Sequence, residues 1–408
     1  LNQHPAIIIN AAAISAENPT PVFGRPMQPF HRGPATWAAY IILGFYAGSL
    51  AVITAAMPFV RAELNLSYTA TAIYLSAVAV GILTAGISGD YLVRRFGRKR
   101  LFIGVAGLEA LALVLLGLAR LPFLVLAAAY LLGLGGALTQ VLVQIVLPDL
   151  HPARRAVVIS ESNLLAGIAT ALTPLLVGGI RAGLQDWRPA PLLWALLIAA
   201  WIFAFRRAQF PAGLPAEKQA RAPRLPAVFS AILPAVFLMV AAEWGVAFWT
   251  PDFLHRVAGY PVVQASTLLS VYFGAIVVGR FGGSLLSRRF SDRAILFAAL
   301  LTAILGLPLY WLMHWPWARL GGLFILGLGI GNHYPMVFSF AMSQAGAAAE
   351  SASSRMTLMA GAAIFSAPLL LGSLADRIGI FPSLGLVGLM LLAALGAVWS
   401  AARASTCR

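Results

Sequence analysis

The sequence predicts an all-α membrane protein: twelve transmembrane helices in two six-helix bundles related by a pseudo-two-fold axis. Three observations predict it: the scarcity of charge, a series of apolar runs of spanning length, and an internal repeat that holds one register over four blocks. Of 408 residues, 60% are hydrophobic and 10% charged, against about a quarter charged in soluble domains. Mean hydropathy is +0.87, so most of the chain belongs in lipid. A net charge of +15 and a pI near 11.0 would suggest nucleic acid in a soluble protein. Here the basic residues sit in short loops between apolar runs, where they set membrane orientation, and no nucleic-acid partner is expected. The single cysteine, Cys407, rules out an intrachain disulfide, a cysteine zinc cluster and a CxxC redox pair. No metal or cofactor is expected.

Residues 1–34 are polar and contain proline, and are read as a disordered lead. With about 20 apolar residues per span, the first bundle, 35–205, holds helices near 36–59, 69–93, 101–119, 122–148, 157–180 and 191–205. Residues 206–226, rich in proline and charge, form the linker. The second bundle, 227–403, holds helices near 227–252, 262–287, 294–314, 318–342, 356–374 and 382–402, leaving 404–408 as a tail. Sixteen Arg and Lys lie in loops on the side of the linker and both termini, and seven on the other. The positive-inside rule makes the first side cytoplasmic, which in a bacterium means the inner membrane. A monomer is expected.

A shift of 194 residues superposes Gly89 and Arg94-Arg95-Phe96 on Gly283 and Arg288-Arg289-Phe290, and Gly133-Leu134-Gly135 on Gly327-Leu328-Gly329. It also superposes Gly167, Pro174-Leu175-Leu176 and Gly178 on Gly361, Pro368-Leu369-Leu370 and Gly372. Six helices separate each residue from its copy, so both copies cross the bilayer in the same direction, as in parallel-repeat carriers. Gly81, Ala85 and Gly89, with Ala275, Gly279 and Gly283, bare one face of each second helix for close packing. That face is expected to slide between bundles as well as pack. Pro174 and Pro368 are expected bending points.

The run Gly89-Asp90-Tyr91-Leu92-Val93-Arg94-Arg95-Phe96-Gly97-Arg98-Lys99-Arg100 resembles the major facilitator signature G-x-L-a-D-R-x-G-R-K. Arg94 stands in the place of the usual Asp, and Asp90 lies one turn earlier. Within that family the chain is most like the fucose-permease branch. Glu243-Trp244-Gly245-Val246-Ala247-Phe248-Trp249-Thr250-Pro251-Asp252-Phe253-Leu254 is similar to E-x-G-x-x-x-W-x-x-x-[YF]-L, and Gly329-Ile330-Gly331-Asn332-His333-Tyr334-Pro335 to G-x-G-x-x-x-F-P. Pro368 to Arg377 is similar to P-L-L-x-G-x-L-A-D-R. Gln140 and Gln144 stand where the branch shows an acid and an Asn. The resemblance implies a major facilitator fold and alternating access; Asp90, Arg94, Arg95, Arg98, Lys99, Arg288 and Arg289, at the cytoplasmic ends of equivalent helices, are the expected gate, with Arg280 pairing with an acid near it.

An ionised group at mid-bilayer costs a few kcal/mol, so such groups face a cavity or a partner. Glu243, flanked by Trp244 and Trp249, is the expected proton-coupling and substrate-binding acid. Asn332, His333 and Tyr334, with Gln140, Gln144 and Asn163 opposite, complete the candidate site. Amides, one acid, one imidazole and indoles suit a small polar organic molecule, a neutral sugar or polyol first, held by hydrogen bonds. Glu109 is expected to be structural or lipid-facing, and Glu161 to favour a helix N-terminus. There is no HExxH, GxSxG or P-loop for an embedded enzyme, no ring of filter residues for a channel, and no output domain for a sensor. The expected function is secondary transport of a small polar solute, with proton symport ahead of uniport and an exporter of organic acids or drugs as the alternative.

Overall fold

A computed structural model describes residues 31–211 and 225–406. Most of the expected lead, most of the linker and Cys407 lie outside them, as does the side chain of Asp90. The helices are α1 Pro34–Glu63, α2 Tyr68–Phe96, α3 Arg98–Leu118, α4 Pro122–Leu150, α5 Arg155–Leu184 and α6 Pro189–Phe205. They continue with α7 Phe229–Arg256, α8 Val262–Leu286, α9 Asp292–Leu312, α10 Pro316–Ala345, α11 Ala349–Ile378, the single turn α12 Ile380–Ser383 and α13 Gly385–Thr406. Local chemistry sets these limits. Pro122, Pro189 and Pro316 open α4, α6 and α10 at positions whose missing N–H costs nothing. Ser67 caps α2 by accepting from the N–H of Ala70, and Ser291 caps α9 by accepting from Ala294. Gly97 and Gly379 end α2 and α11 at φ of 74° and 84°, which glycine adopts without strain.

Among the described residues, 11 helices are long and apolar enough to cross a membrane. The remaining expected span is α6, whose 17 residues reach only about 26 Å, slightly less than a hydrocarbon core. The fold is the expected all-α membrane architecture. Its internal symmetry is visible in the packing: α1 with α5, α2 with α4 and α3 with α4 in one half recur as α7 with α11, α8 with α10 and α9 with α10 in the other. Between the halves, α5 packs on α8 and, equivalently, α11 packs on α2.

The repeated glycines mark these crossings. A Cβ at Gly133 would lie 2.0 Å from the Val78 carbonyl oxygen, and one at Gly327 would lie 2.8 Å from that of Tyr272, its repeat mate. A Cβ at Gly167 would press on Val277 at 2.9 Å, and one at Gly361 on Leu83 at 3.3 Å, again repeat mates. The bare face of α2 and α8 does not slide between the halves. Gly81 meets the backbone of Tyr130 and Leu134 on α4, and Gly279 meets Leu328 on α10, so both stripes lock helices within one half. The contact between halves uses the glycines of α5 and α11 instead.

Candidate functional site

The bundle end carrying the α1–α2, α7–α8 and α11–α12 connections is termed the upper end, and the opposite one the lower end. A cavity of about 220 Å³ lies between the halves, lined by α1, α4, α5, α7 and α8. Tyr46, Thr54, Gln140 and Thr170 line it from the first half, and Glu243, Trp244, Phe273 and Arg280 from the second. Glu243 and Arg280 are the charged residues of its lining. Arg280 Nη2 stands 4.0 Å from Glu243 Oε1, with side-chain exposures of 45% and 20%. Arg280 Nε donates to the Gly331 carbonyl at 3.3 Å, fixing the base of the guanidinium to α10. Tyr272 donates to the backbone carbonyl of Glu243 at 3.0 Å.

Three expected site residues, Gln140, Glu243 and Trp244, are thus brought together. Arg280, expected at the lower gate, lines the same cavity. An arginine side chain is long enough to run along its own helix, and this one ends beside the mid-membrane acid. The other expected ligands lie outside the lining of this cavity. Trp249 is buried, donates to the Pro368 carbonyl at 3.3 Å and lies edge-on to Tyr68. Asn332 donates to the Gly279 carbonyl at 2.7 Å and occupies the space left by Gly283, so it clasps α10 to α8. His333 is buried beside Ala299 of α9. Tyr334 is half-buried, with Thr357 of α11 and Phe338 nearby. Gln144 and Asn163 are exposed and outside the cavity lining, Asn163 donating to Ile159 of its own helix. A polar residue on a transmembrane helix announces that it needs a partner, but not which neighbour supplies it.

Above the cavity the halves are tied by groups the sequence reading did not select. Arg61 Nη1 of α1 donates to Asp252 Oδ1 of α7 at 2.6 Å, and its guanidinium lies 3.5 Å from the Tyr68 ring centre. Asp376 of α11 accepts from the N–H groups of Tyr68 and Thr69, both at 2.8 Å, and from the Thr69 hydroxyl at 2.6 Å. It caps the N-terminus of α2 from the other half. Both acids fall within the motif runs Glu243–Leu254 and Pro368–Arg377, which was the available signal. Thr54 and Ala247 of the lining lie roughly 10 and 8 Å of helix rise below Arg61 and Asp252.

At the lower end Arg94, Arg95, Lys99, Arg288 and Arg289 are exposed. Arg98 pairs with Asp149 of its own half at 2.7 Å. Glu109 is buried between α3 and α4, accepting from the Thr139 hydroxyl at 2.6 Å, so it is structural and not lipid-facing. Glu161 accepts from the Tyr40 hydroxyl of α1 at 2.8 Å.

The model of the Major Facilitator Superfamily matches residues 39–368. The chain belongs to the Major Facilitator Superfamily. It is an integral membrane transporter of a small-molecule substrate, not an enzyme. It is 25% identical over 274 residues to Multidrug resistance protein MdtL of Escherichia fergusonii, covering 64% of this chain and 68% of that one. It is 24% identical over 352 residues to Probable nitrate transporter NarT of Staphylococcus aureus, covering 83% and 87%. A bacterial homologue of the human lysosomal transporter Spinster, in an inward-facing and occupied conformation, has the same fold with a TM-score of 0.77 at 16% identity, covering 90% of this chain and 96% of that one.

Proposed function

We propose that this facilitator carries a small polar organic solute across the cytoplasmic membrane by alternating access, as a monomer, with a proton carried on Glu243. The observation that supports this most is the cavity, lined from both halves, with the ties Arg61–Asp252 and Asp376–α2 above it. Its volume of about 220 Å³ is below the usual range for drug-sized ligands, which favours a small solute over a bulky drug. The excess of basic residues on the lower side supports a cytoplasmic lower end, with the linker and both termini there. The arrangement is then inward-facing, and turning outward breaks the upper ties and closes the lower arginines on the opposite half. The fucose-permease likeness suggests a sugar or polyol, and nothing in the lining specifically selects one.

Counterflow in proteoliposomes tests the carrier mechanism. Unlabelled solute on the far side accelerates labelled uptake by a carrier, whereas a channel shows no such stimulation. Impermeant thiol reagents applied to intact cells leave Cys407 unlabelled if the orientation is right. Replacing Arg94 and Arg95, or Arg288 and Arg289, with Ala lowers maximal rate more than apparent affinity. An affinity loss of about tenfold at unchanged rate would instead assign them to the binding site.

A further inference from the structure

We infer that Arg280 anchors the substrate, and that the substrate is a small monovalent oxyanion, of which an organic monocarboxylate is the favoured form. The inference rests on the carrier reading above and names the substrate class of the same cavity. Buried guanidinium groups in lipid-spanning proteins are costly and are kept paired. Arg61 shows what a satisfied pair looks like here: 2.6 Å to its carboxylate, with side-chain exposures of 10% and 4%. Arg280 is held by Nε to Gly331, while its Nη2 stands 4.0 Å from Glu243, beyond hydrogen-bond length, and the side chain is 45% exposed. Its terminal nitrogens therefore face the cavity with a loose partner. A planar guanidinium fork is the group best matched to a carboxylate or a similarly planar oxyanion. Tyr46, Trp244 and Phe273 on the same walls offer faces for the organic part of a carboxylate.

Charge balance then couples anion to proton. With Glu243 ionised, the pair sums to zero, and an entering anion leaves the cavity at minus one. When Glu243 has taken a proton, Arg280 plus the anion again sums to zero. Glu243 swings from guanidinium partner to neutral acid, and the substrate oxygens take its place. One proton therefore moves with each anion, and the loaded carrier crosses electrically neutral. The groups facing Glu243 from its neighbours are few. Helix α8 brings Arg280 and Tyr272, and α1 brings Tyr46. Helix α10 holds His333, buried toward α9, and Tyr334. Helix α11 between Met356 and Ala375, and α13 between Gly385 and Ala402, carry no charged residue. On α7 itself Asp252 is committed to Arg61.

The test uses the full chain in proteoliposomes. Counterflow is measured with labelled acetate, lactate and pyruvate in one arm, nitrate in a second, and mannitol and fucose in a third. Expected is exchange of a monocarboxylate; exchange of nitrate alone keeps the anion inference and reassigns its source. Exchange of a neutral solute with no anion flux overturns the anion inference and leaves the carrier reading standing. No exchange of any solute overturns both. For the exchanged anion, Arg280→Gln is expected to weaken affinity about 30-fold or more, and Arg280→Lys less. Both variants are checked for an unchanged melting profile, and equal affinity in a folded Arg280→Gln overturns the assignment. Proton uptake, read by an entrapped pH dye, is one per anion in wild type, and transport ignores an imposed potassium diffusion potential. Glu243→Gln is expected to lose the proton flux and to become slowed by an inside-negative potential. A variant that still moves one proton per anion overturns the role of Glu243.

Discussion

Helix α7 presents two carboxylates to two arginines, and the pairs differ in geometry as much as in place. Asp252 at the upper end holds Arg61 at 2.6 Å, and the same guanidinium also lies 3.5 Å from the Tyr68 ring centre and donates through Nε to the Leu66 carbonyl at 3.2 Å. Glu243, about 13 Å lower along the helix, faces Arg280 at 4.0 Å across a cavity wall. The upper arginine is held from three directions and joins the two halves. The lower one is held at its base and is left with terminal donors toward solute. A pair that must stay closed through one whole conformation is built with several further contacts, and a pair that must exchange partners is built with few.

The sharpest way to break this comparison is Asp252→Ala. It leaves the Arg61 guanidinium without its acid in a place nearly closed to water, and removing one member of such a pair costs about 3–5 kcal/mol. That cost falls on the upper-closed conformation. The expected result is a lower melting temperature, together with faster labelling from outside of a single cysteine placed at Thr54 in a Cys407→Ser background. Unchanged melting and labelling would mean that the pair is incidental.

The next effect concerns how Arg280 is placed. Gly279 precedes it and lies against α10, where a Cβ would fall 2.3 Å from the Leu328 carbonyl oxygen. Gly279→Ala must push α8 from α10, at about 1–3 kcal/mol for an overpacked contact, and must lengthen the Arg280 bond to Gly331. Reduced stability with reduced solute affinity is expected, while Gly86→Ala on α2, with nothing within 4 Å of the new carbon, leaves both unchanged. Equal behaviour of the two variants would show that the close crossing does not position the arginine.

Much of this was legible beforehand, for physical reasons. Spanning helices declare themselves by length and apolarity, and the repeat declares itself because matching glycines must serve matching crossings, as Gly167 on Val277 and Gly361 on Leu83 do. Glu243 stood out because acids at mid-membrane are rare. What the sequence did not report was which face each helix turns toward the cavity. Asn332 and Trp249 looked like ligands by composition, yet their partners, Gly279 and Pro368, come from helices whose rotation no local pattern reports, and His333 is buried outside the cavity lining. Tyr46, Thr54, Thr170 and Phe273 line the cavity but sit in runs that read as ordinary apolar helix. The reach of Arg280 into the cavity was not legible, because position along a helix locates the Cα, whereas an arginine acts several ångströms away.

A smaller effect separates charge from capping at the second upper tie. Asp376→Ala removes the acceptor for the first N–H groups of α2, worth about 0.5–2 kcal/mol. Outside labelling of the Thr54 cysteine should rise, though less than in Asp252→Ala. Asp376→Asn should restore most of the difference, because the amide oxygen still accepts. If Asn behaves as Ala does, the tie depends on the charge near the helix end rather than on the cap.

The smallest expected effect on stability is at the other pole of the comparison, in Glu243→Ala. A pair 4.0 Å apart, with side chains 20% and 45% exposed to the cavity, gains little from Coulomb attraction once water can screen it. Pairs fully open to water are worth at most about 1 kcal/mol, and the cavity brings this one toward that limit. Melting should therefore shift far less than in Asp252→Ala. Function should show the reverse order. Asp252→Ala alters how the carrier divides its time between conformations and leaves pH-driven accumulation present at a changed rate. Glu243→Ala removes the group that takes the proton and abolishes accumulation under an imposed pH gradient. The two variants thus cross: one loses stability and keeps coupling, the other keeps stability and loses coupling. If Glu243→Ala destabilises as much as Asp252→Ala, the lower pair is a structural tie like the upper one, and the acid that couples transport lies elsewhere.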